Sequence, residues 1–337
     1  MSDSAEARQE EDSCSSTVSG CAYQEAQVKD KSKASAEPLE SQKAAAAAML
    51  QHGFTVEQLL LFYKDNLERG RLTCDSTSAE VVRNIVRPDT KGHQCSYMES
   101  DFMRRHGGPQ RAEKLVSHAW GSKFLNTVLN ILLDACGDMD ELKEKCFSGK
   151  DGDRAFDADK ALKFLSDAAL NSTYWLCIFG INEHLSICGD CRECRSKSGG
   201  WKDNSFAFSV DPCCECGQAK RNPCPCGTTK LELGHPDYEI DKFGEVVKLM
   251  SGLVVSLDPY LVTLSRIWVV REVGVALTGK PVTFRLAEGL VHEKREDLRR
   301  GKPIVTPVRK CEAASAHDRD RVLADIKKEA GGYPAFD

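Results

Sequence analysis

The rhythm of apolar positions changes twice along this chain. Residues 1–45 hold almost no large apolar side chain and are rich in Ser, Glu, Lys, Gln and Ala. Such a segment buries too little surface to offset its ordering entropy, so it is expected to be a disordered tail. Apolar residues at helical spacing follow. Residues 44–48 and 54–63 read as helix, ended by Gly70. Residues 78–86 read as a second short helix, stopped at Pro88. Residues 46–110 are therefore expected to be a helical N-terminal extension.

From residue 114 short apolar runs alternate with amphipathic stretches. Residues 114–118 predict a short buried strand, 124–133 an apolar-faced helix, 155–170 another helix, and 174–179 the strongest strand. Residues 242–250 predict a helix, 253–257 a strand, 265–277 a helix and 281–285 a strand. Residues 291–300 read as helix, 304–308 as a last strand and 318–329 as a closing helix. Strands separated by helices predict a parallel sheet with helices on both faces, an α/β domain over residues 111–330. No internal repeat interrupts it.

Composition narrows the function classes. The 337 residues are 41% hydrophobic, enough for a sizeable core, and the net charge is −5. No basic surface recommends nucleic acid as a partner. The most basic run, residues 294–300, is mixed in sign and reads as a solvated helix face. The start, Met1-Ser-Asp-Ser-Ala-Glu-Ala, lacks the pattern of a secretory signal. The longest apolar runs, 174–181 and 253–257, are too short to span a membrane. The expectation is a cytoplasmic protein that uses no membrane.

The least chance-like feature is a cluster of cysteines. It reads Cys188-Gly-Asp-Cys191-Arg-Glu-Cys194, then Cys213-Cys214-Glu-Cys216, then Cys224-Pro-Cys226. Thiols at these spacings bring several sulfurs within reach of one ion, and tetrahedral zinc is the expected cofactor. The residues between them are mostly polar, Gly or Pro, so the segment cannot build its own apolar core and needs a metal or cross-links. Eight thiols suffice for two four-thiolate sites, with His184 or His235 as substitutes. A closed site of that kind leaves no position for water and is structural. The segment, residues 185–235, reads as an insertion within the α/β domain. A thiol redox role is the weaker alternative, because no helical pattern follows Cys194.

Ligands bind open α/β sheets beyond the carboxyl ends of the strands. Three such ends carry polar groups: Ser117-His118-Ala119-Trp120, then Asn182-Glu183-His184, then Asp258 with the following Arg266-Ile-Trp268-Val-Val-Arg-Glu272. Each alone reads more readily as a cap, a core aromatic or a solvated charge. Together they make Ser117, His118, Trp120, Asn182, Asp258 and Trp268 candidates for binding a nucleotide-type ligand.

The order of these segments resembles the Toll/interleukin-1 receptor (TIR) superfamily, and still more the heterokaryon incompatibility (HET) domain. Leu115-Val-Ser-His118 is similar to the opening TIR strand. Ile181-Asn182-Glu183 resembles the Ile-Asn-Gln of HET domains, and Val246-Val-Lys-Leu-Met250 their Val-x-x-Met helix. Arg266-Ile-Trp268-Val-Val-Arg-Glu272 matches their Arg-x-Trp-x-x-x-Glu. Val81 to Thr90 is similar to the Val-Val-x-x-x-Val-x-Pro-x-Thr with which TIR-like proteins of algae and other protists begin. The resemblance covers roughly residues 78–330. Glu183 replaces the HET Gln, Val269 replaces the Cys usual after the TIR Trp, and the cysteine insertion occupies a loop that helps complete the TIR site.

The resemblance implies a flavodoxin-like parallel sheet and an intracellular signalling role. In active TIR domains the glutamate of this helix supports cleavage of the nicotinamide–ribose bond of NAD, and by position that residue is Glu272. It also implies self-association, because family members often complete their sites across subunits. The alternative from another class is a zinc-stapled interaction module without chemistry.

Overall fold

The computed structural model describes residues 39–149, 155–186, 211–212, 219–220, 235, 237–302, 306–313, 316–328 and 332–335. The eight clustered cysteines, the zinc expectation resting on them and residues 1–38 of the tail expected over 1–45 lie outside the described residues.

The apolar runs form one sheet. Its strands are β1 (Phe54–Thr55), β2 (Lys114–Ser117), β3 (Thr173–Leu176), β4 (Gly252–Ser256) and β5 (Val282–Arg285), in the spatial order β1-β3-β2-β4-β5. Strands β2 to β5 pair in parallel, and β1 adds antiparallel to β3. The helices that matter below are α1 (Leu39–Met49), α2 (Val56–Glu68), α3 (Phe124–Cys136), α4 (Phe243–Leu249), α5 (Ile267–Leu277), α6 (His292–Arg299) and α7 (Ala316–Lys328). The architecture is mixed α/β with a mostly parallel central sheet. Among the described residues no helix is long and apolar enough to cross a membrane.

Strand alternation sends side chains to two apolar layers. Leu115, Trp175, Leu253 and Val255 pack with residues of α1, α4 and α5, including Ala46, Val246, Val269 and Ala276. Val116, Tyr174, Leu176 and Val254 pack on the other face with residues of α2 and α3. The inner strands are covered on both sides, which is why they read as continuous apolar runs. Asp134 of α3 pins the sheet beneath it. Its buried carboxylate accepts from Lys114 Nζ at 2.7 Å, Tyr174 OH at 2.9 Å and Arg285 Nε at 3.0 Å.

Several expected boundaries are corrected. The first helix begins at Leu39, inside the expected tail, because Ala46, Met49 and Leu50 bury against the sheet. Phe54 and Thr55 were expected to be helical but form β1, and Thr55 starts α2 with a reciprocal capping box with Gln58. The N-terminal extension thereby supplies a strand and much of one apolar layer. Pro88 does not stop the second helix. A π-helical stretch (Val82–Val86) leads into Arg87–Thr90, and Pro88 sits in the first turn of that segment, where a missing N–H is tolerated.

The expected helix over residues 155–170 is a two-residue strand, Ala155–Phe156, then helices Ala158–Phe164 and Asp167–Leu170, the second capped by Ser166. The strand over 174–179 stops at Leu176 and turns into a single helical turn, Cys177–Gly180. Phe179 then enters an aromatic cluster with Phe54, Phe62, Tyr97 and Phe124. That turn requires Gly180, because a Cβ there would overlap the Trp175 indole. Val308 is not in a strand. It lies in a 3-10 turn, Val308–Lys310, and packs with Ile267, Val322 and Ile326 where α7 meets α5. Pro307 has no N–H to give a strand ladder.

Candidate functional site

The chain leaves β2, runs outward to β3, and returns past β2 to β4. The direction of travel reverses between β2 and β4, and a crevice at the carboxyl ends beside such a reversal is where open α/β sheets hold ligands.

Ser117 is the last residue of β2 and alternates onto the α5 side of the sheet with Leu115. Helix α5 presents Ile267, Val269, Glu272, Val275 and Ala276 to the interior. Glu272 thus stands on an otherwise apolar helix face, 8% exposed. The Ser117 hydroxyl donates a hydrogen bond to Glu272 Oε2. Burial pushes the Glu272 carboxyl up to about 7, against the opposing pull of the Ser117 bond and Arg271. A carboxyl poised near neutrality can orient a ligand when charged and exchange a proton when needed.

Two further groups join the strand ends. Trp120 Nε1 donates to Cys177 Sγ at 3.2 Å, tying the end of β2 to the end of β3. Burial raises the Cys177 thiol, the Trp120 bond opposes this, and the carboxylates of Glu183 and Glu272 both push it higher. The thiol therefore stays protonated and is a poor nucleophile. Both carboxyls lie within electrostatic reach of that one sulfur. His118 is buried, and burial pushes its imidazole down to about 4, so it is neutral. Its Nε2 has no hydrogen-bond partner among the described residues.

The other expected ligand groups serve the frame. Asn182 Oδ1 accepts the backbone N–H groups of His184 at 3.0 Å and Leu185 at 3.4 Å, which starts the turn Glu183–Ser186. Its own N–H donates to Glu239 Oε2 at 2.6 Å. The Asp258 carboxylate is saturated by its own loop. It accepts from the N–H groups of Tyr260, Val262 and Thr263 and from the Thr263 hydroxyl. This closes a tight loop in which Leu261 takes a positive φ of 58°. Trp268 is taken up by Phe243 edge-on at 6.3 Å and by Arg321, whose guanidinium lies 5.0 Å from the ring centre. Its ring faces α4 and α7.

Beside Asn182 lies a second group of buried charges. Glu183 is fully buried, and burial, with Glu239 adding and Arg87 opposing, holds its carboxyl well above the usual range. Glu239 is pushed up to about 7, again mainly by burial. His184 Nε2 is bonded to Thr90 Oγ1 at 2.9 Å, and burial pushes the ring down to about 4. His235 accepts the Asp237 N–H on Nδ1 at 3.1 Å. Among the described residues no group of three or more His, Cys, Asp or Glu could hold a metal ion.

The structure thus brings Ser117 and Glu272 together and places Trp120, Cys177 and Glu183 at the adjoining strand end. It does not bring Asp258 or Trp268 to them as free ligand groups. Cys177 belongs to no motif of the sequence. It packs against both apolar layers and also receives Trp120, and its place directly after the strongest strand was the available signal. Glu239 had no such signal, because it falls between the cysteine-rich segment and the motif Val246 to Met250, outside every motif. Compared with protein-family models, curated proteins and solved structures, the chain matches none.

Proposed function

We propose that this chain is a TIR/HET-like signalling domain that hydrolyses the nicotinamide–ribose bond of NAD, with Glu272 as its central carboxylate. The observation that carries the reading is the buried Glu272 carboxyl, hydrogen-bonded to Ser117 at the carboxyl end of β2. The strand order supports it: the four parallel strands run β3-β2-β4-β5, the arrangement of the first four strands of a flavodoxin-like sheet.

The chemistry follows from the residues. Breaking the bond between ribose C1′ and the nicotinamide nitrogen sends the electron pair to the ring, which leaves neutral. Positive charge grows on the ribose, and the Glu272 carboxylate stabilises it and orients the ribose hydroxyls. Water then adds at C1′, and its proton passes to Glu272 and on to solvent. The Ser117 hydroxyl fixes the carboxylate rotamer. Trp120, half-buried beside it, offers a ring face for a base. Zinc held by Cys188, Cys191, Cys194, Cys213, Cys214, Cys216, Cys224 and Cys226 would be a structural staple. Self-association would complete the site, in the cytoplasm.

Incubation of the purified chain with millimolar NAD tests this. Release of nicotinamide by wild type and its loss in Glu272→Gln are the expected results. The eight clustered cysteines favour one other reading, a zinc-stapled interaction module without chemistry. That reading predicts loss of partner binding on chelation and indifference to Glu272.

A further inference from the structure

Helix α5 is held from two directions. On the sheet side Glu272 receives the Ser117 hydroxyl. The rest of its grip comes from the end of the chain. The Ile267 N–H donates to Glu312 O at 2.8 Å, and the Glu312 N–H donates to Ser265 O at 2.8 Å. Arg266 pairs with the same Glu312 at 3.6 Å. Ile267 packs with Val308, Val322 and Ile326. Arg321 of α7 lies over the Trp268 ring. One turn after Ile267, Arg271 Nη2 pairs with Asp325 Oδ2 of α7 at 3.5 Å. Arg271 directly precedes Glu272, so α7 is docked at the turn that carries the buried carboxyl.

The side chain of Arg271 is only 18% exposed. Its Nε is buried and has no hydrogen-bond partner among the described residues. Asp325 holds the guanidinium from the α7 side, and the other Asp325 oxygen lies 3.6 Å from Lys328 Nζ. Successive residues on a helix point about 100° apart, so Arg271 and Glu272 do not face each other. Their charges remain close, and a nearby opposite charge favours the ionised carboxyl. Arg271 accordingly draws the Glu272 carboxyl down, against burial. A carboxylate that holds Arg271 on its far side takes part of that attraction. With its Nε buried, the guanidinium stays beside α5 when that carboxylate is neutralised.

The remaining groups around Glu272 leave Arg271 as the cation that matters. From the strand ends come the Ser117 hydroxyl, the neutral His118 and the protonated Cys177 thiol. On α4, Lys248 and Glu245 pair with each other at 2.7 Å. Arg285 of β5 is bound to Asp134. We propose that Asp325 is a positioning residue for the Glu272 carboxyl: it holds the Arg271 guanidinium against α7 and so limits how strongly that cation draws Glu272 into its charged form. This rests on the reading of Glu272 as the central carboxylate and names what sets its charge.

The test titrates Glu272 in the full-length chain through the infrared band of its protonated carboxyl. The band is isolated by subtracting the spectrum of the same protein carrying Glu272→Gln. Asp325→Asn is expected to lower the midpoint by about half a pH unit, the scale of a nearby, partly exposed charge. Asp325→Glu keeps the pair and is expected to titrate as wild type. Arg271→Met is expected to raise the midpoint, and adding Asp325→Asn to it is expected to change nothing further. A structural role alone would lower the thermal midpoint of Asp325→Asn and leave the Glu272 titration in place, and that result overturns the assignment. An equal fall with and without Arg271 overturns it too, because Asp325 would then act on Glu272 directly. If Asp325→Asn does not fold, as judged by circular dichroism, Arg271→Met decides, and an unchanged midpoint there overturns the assignment. The infrared reading needs no substrate, so absence of nicotinamide release overturns the NAD reading while the role of Asp325 is still decided.

Discussion

Ser117 and Glu272 are 155 positions apart in the chain, yet the Ser117 hydroxyl donates directly to the Glu272 carboxyl. One residue ends β2 and the other lies on the apolar face of α5, so the bond exists only when sheet and helix are packed. Among the described residues it is the one side-chain hydrogen bond to Glu272, in a seam otherwise lined by Val255, Val269 and Ala276.

Glu272 carries a stability penalty that depends on pH. Its folded carboxyl titrates near 7, above the ordinary value of 4.5. The folded state therefore binds more protons than the unfolded state between those values, and stability falls as pH rises through that window. Glu272→Gln removes the penalty. Relative to wild type it is expected to be more stable at pH 8 by about 3 kcal/mol and to gain little at pH 4. Denaturant titrations at the two pH values check this.

Ser117→Ala removes the bond that holds the Glu272 carboxyl down, so that carboxyl should titrate higher. The acidic limb of the NAD-cleavage profile is expected to move to higher pH, because the charged form is the active one. A profile unchanged in position would separate Ser117 from the chemistry.

Cys177 is expected to be dispensable as a nucleophile, since burial and two neighbouring carboxylates keep its thiol protonated. Cys177→Ala should retain NAD cleavage within about threefold and lose about 1 kcal/mol of stability with the Trp120–Cys177 hydrogen bond. Base release by this variant, with its thermal midpoint, measures both.

Asp134 tests the frame rather than the site. Burial opposes its charge, but the bonds from Lys114, Tyr174 and Arg285 hold its carboxyl below the usual range. Its contribution is present above the unfolded value near 4 and is lost as pH falls through the lower folded value. Asp134→Asn at neutral pH is expected to cost about 3 kcal/mol, measured by denaturant unfolding.

Much of this fold was legible because its strands are buried on both faces. Gly252–Ser256 and Lys114–Ser117 stand out as apolar runs, and α5 shows its buried stripe at helical spacing. Boundaries were less legible where tertiary packing decided them. Phe179 leaves the strand for an aromatic cluster drawn from four distant segments, and no local pattern announces that. The site was legible in part. Ser117 and Glu272 meet as the motif order suggested they could, because β2 lies beside β4 and the helix after β4, α5, packs on the face of the sheet that carries Ser117. Asp258 looks the same in sequence, but short-range bonds within its loop consume its carboxylate. Glu239 was invisible because it acts through burial against residues far away in the chain.

The central claim is tested most directly by nicotinamide release from NAD by the full-length chain beside Glu272→Gln at neutral pH. The account predicts steady release by wild type and a fall of at least about a hundredfold in the variant, with its fold intact. Absence of release from wild type, or equal rates from the two proteins, would contradict it.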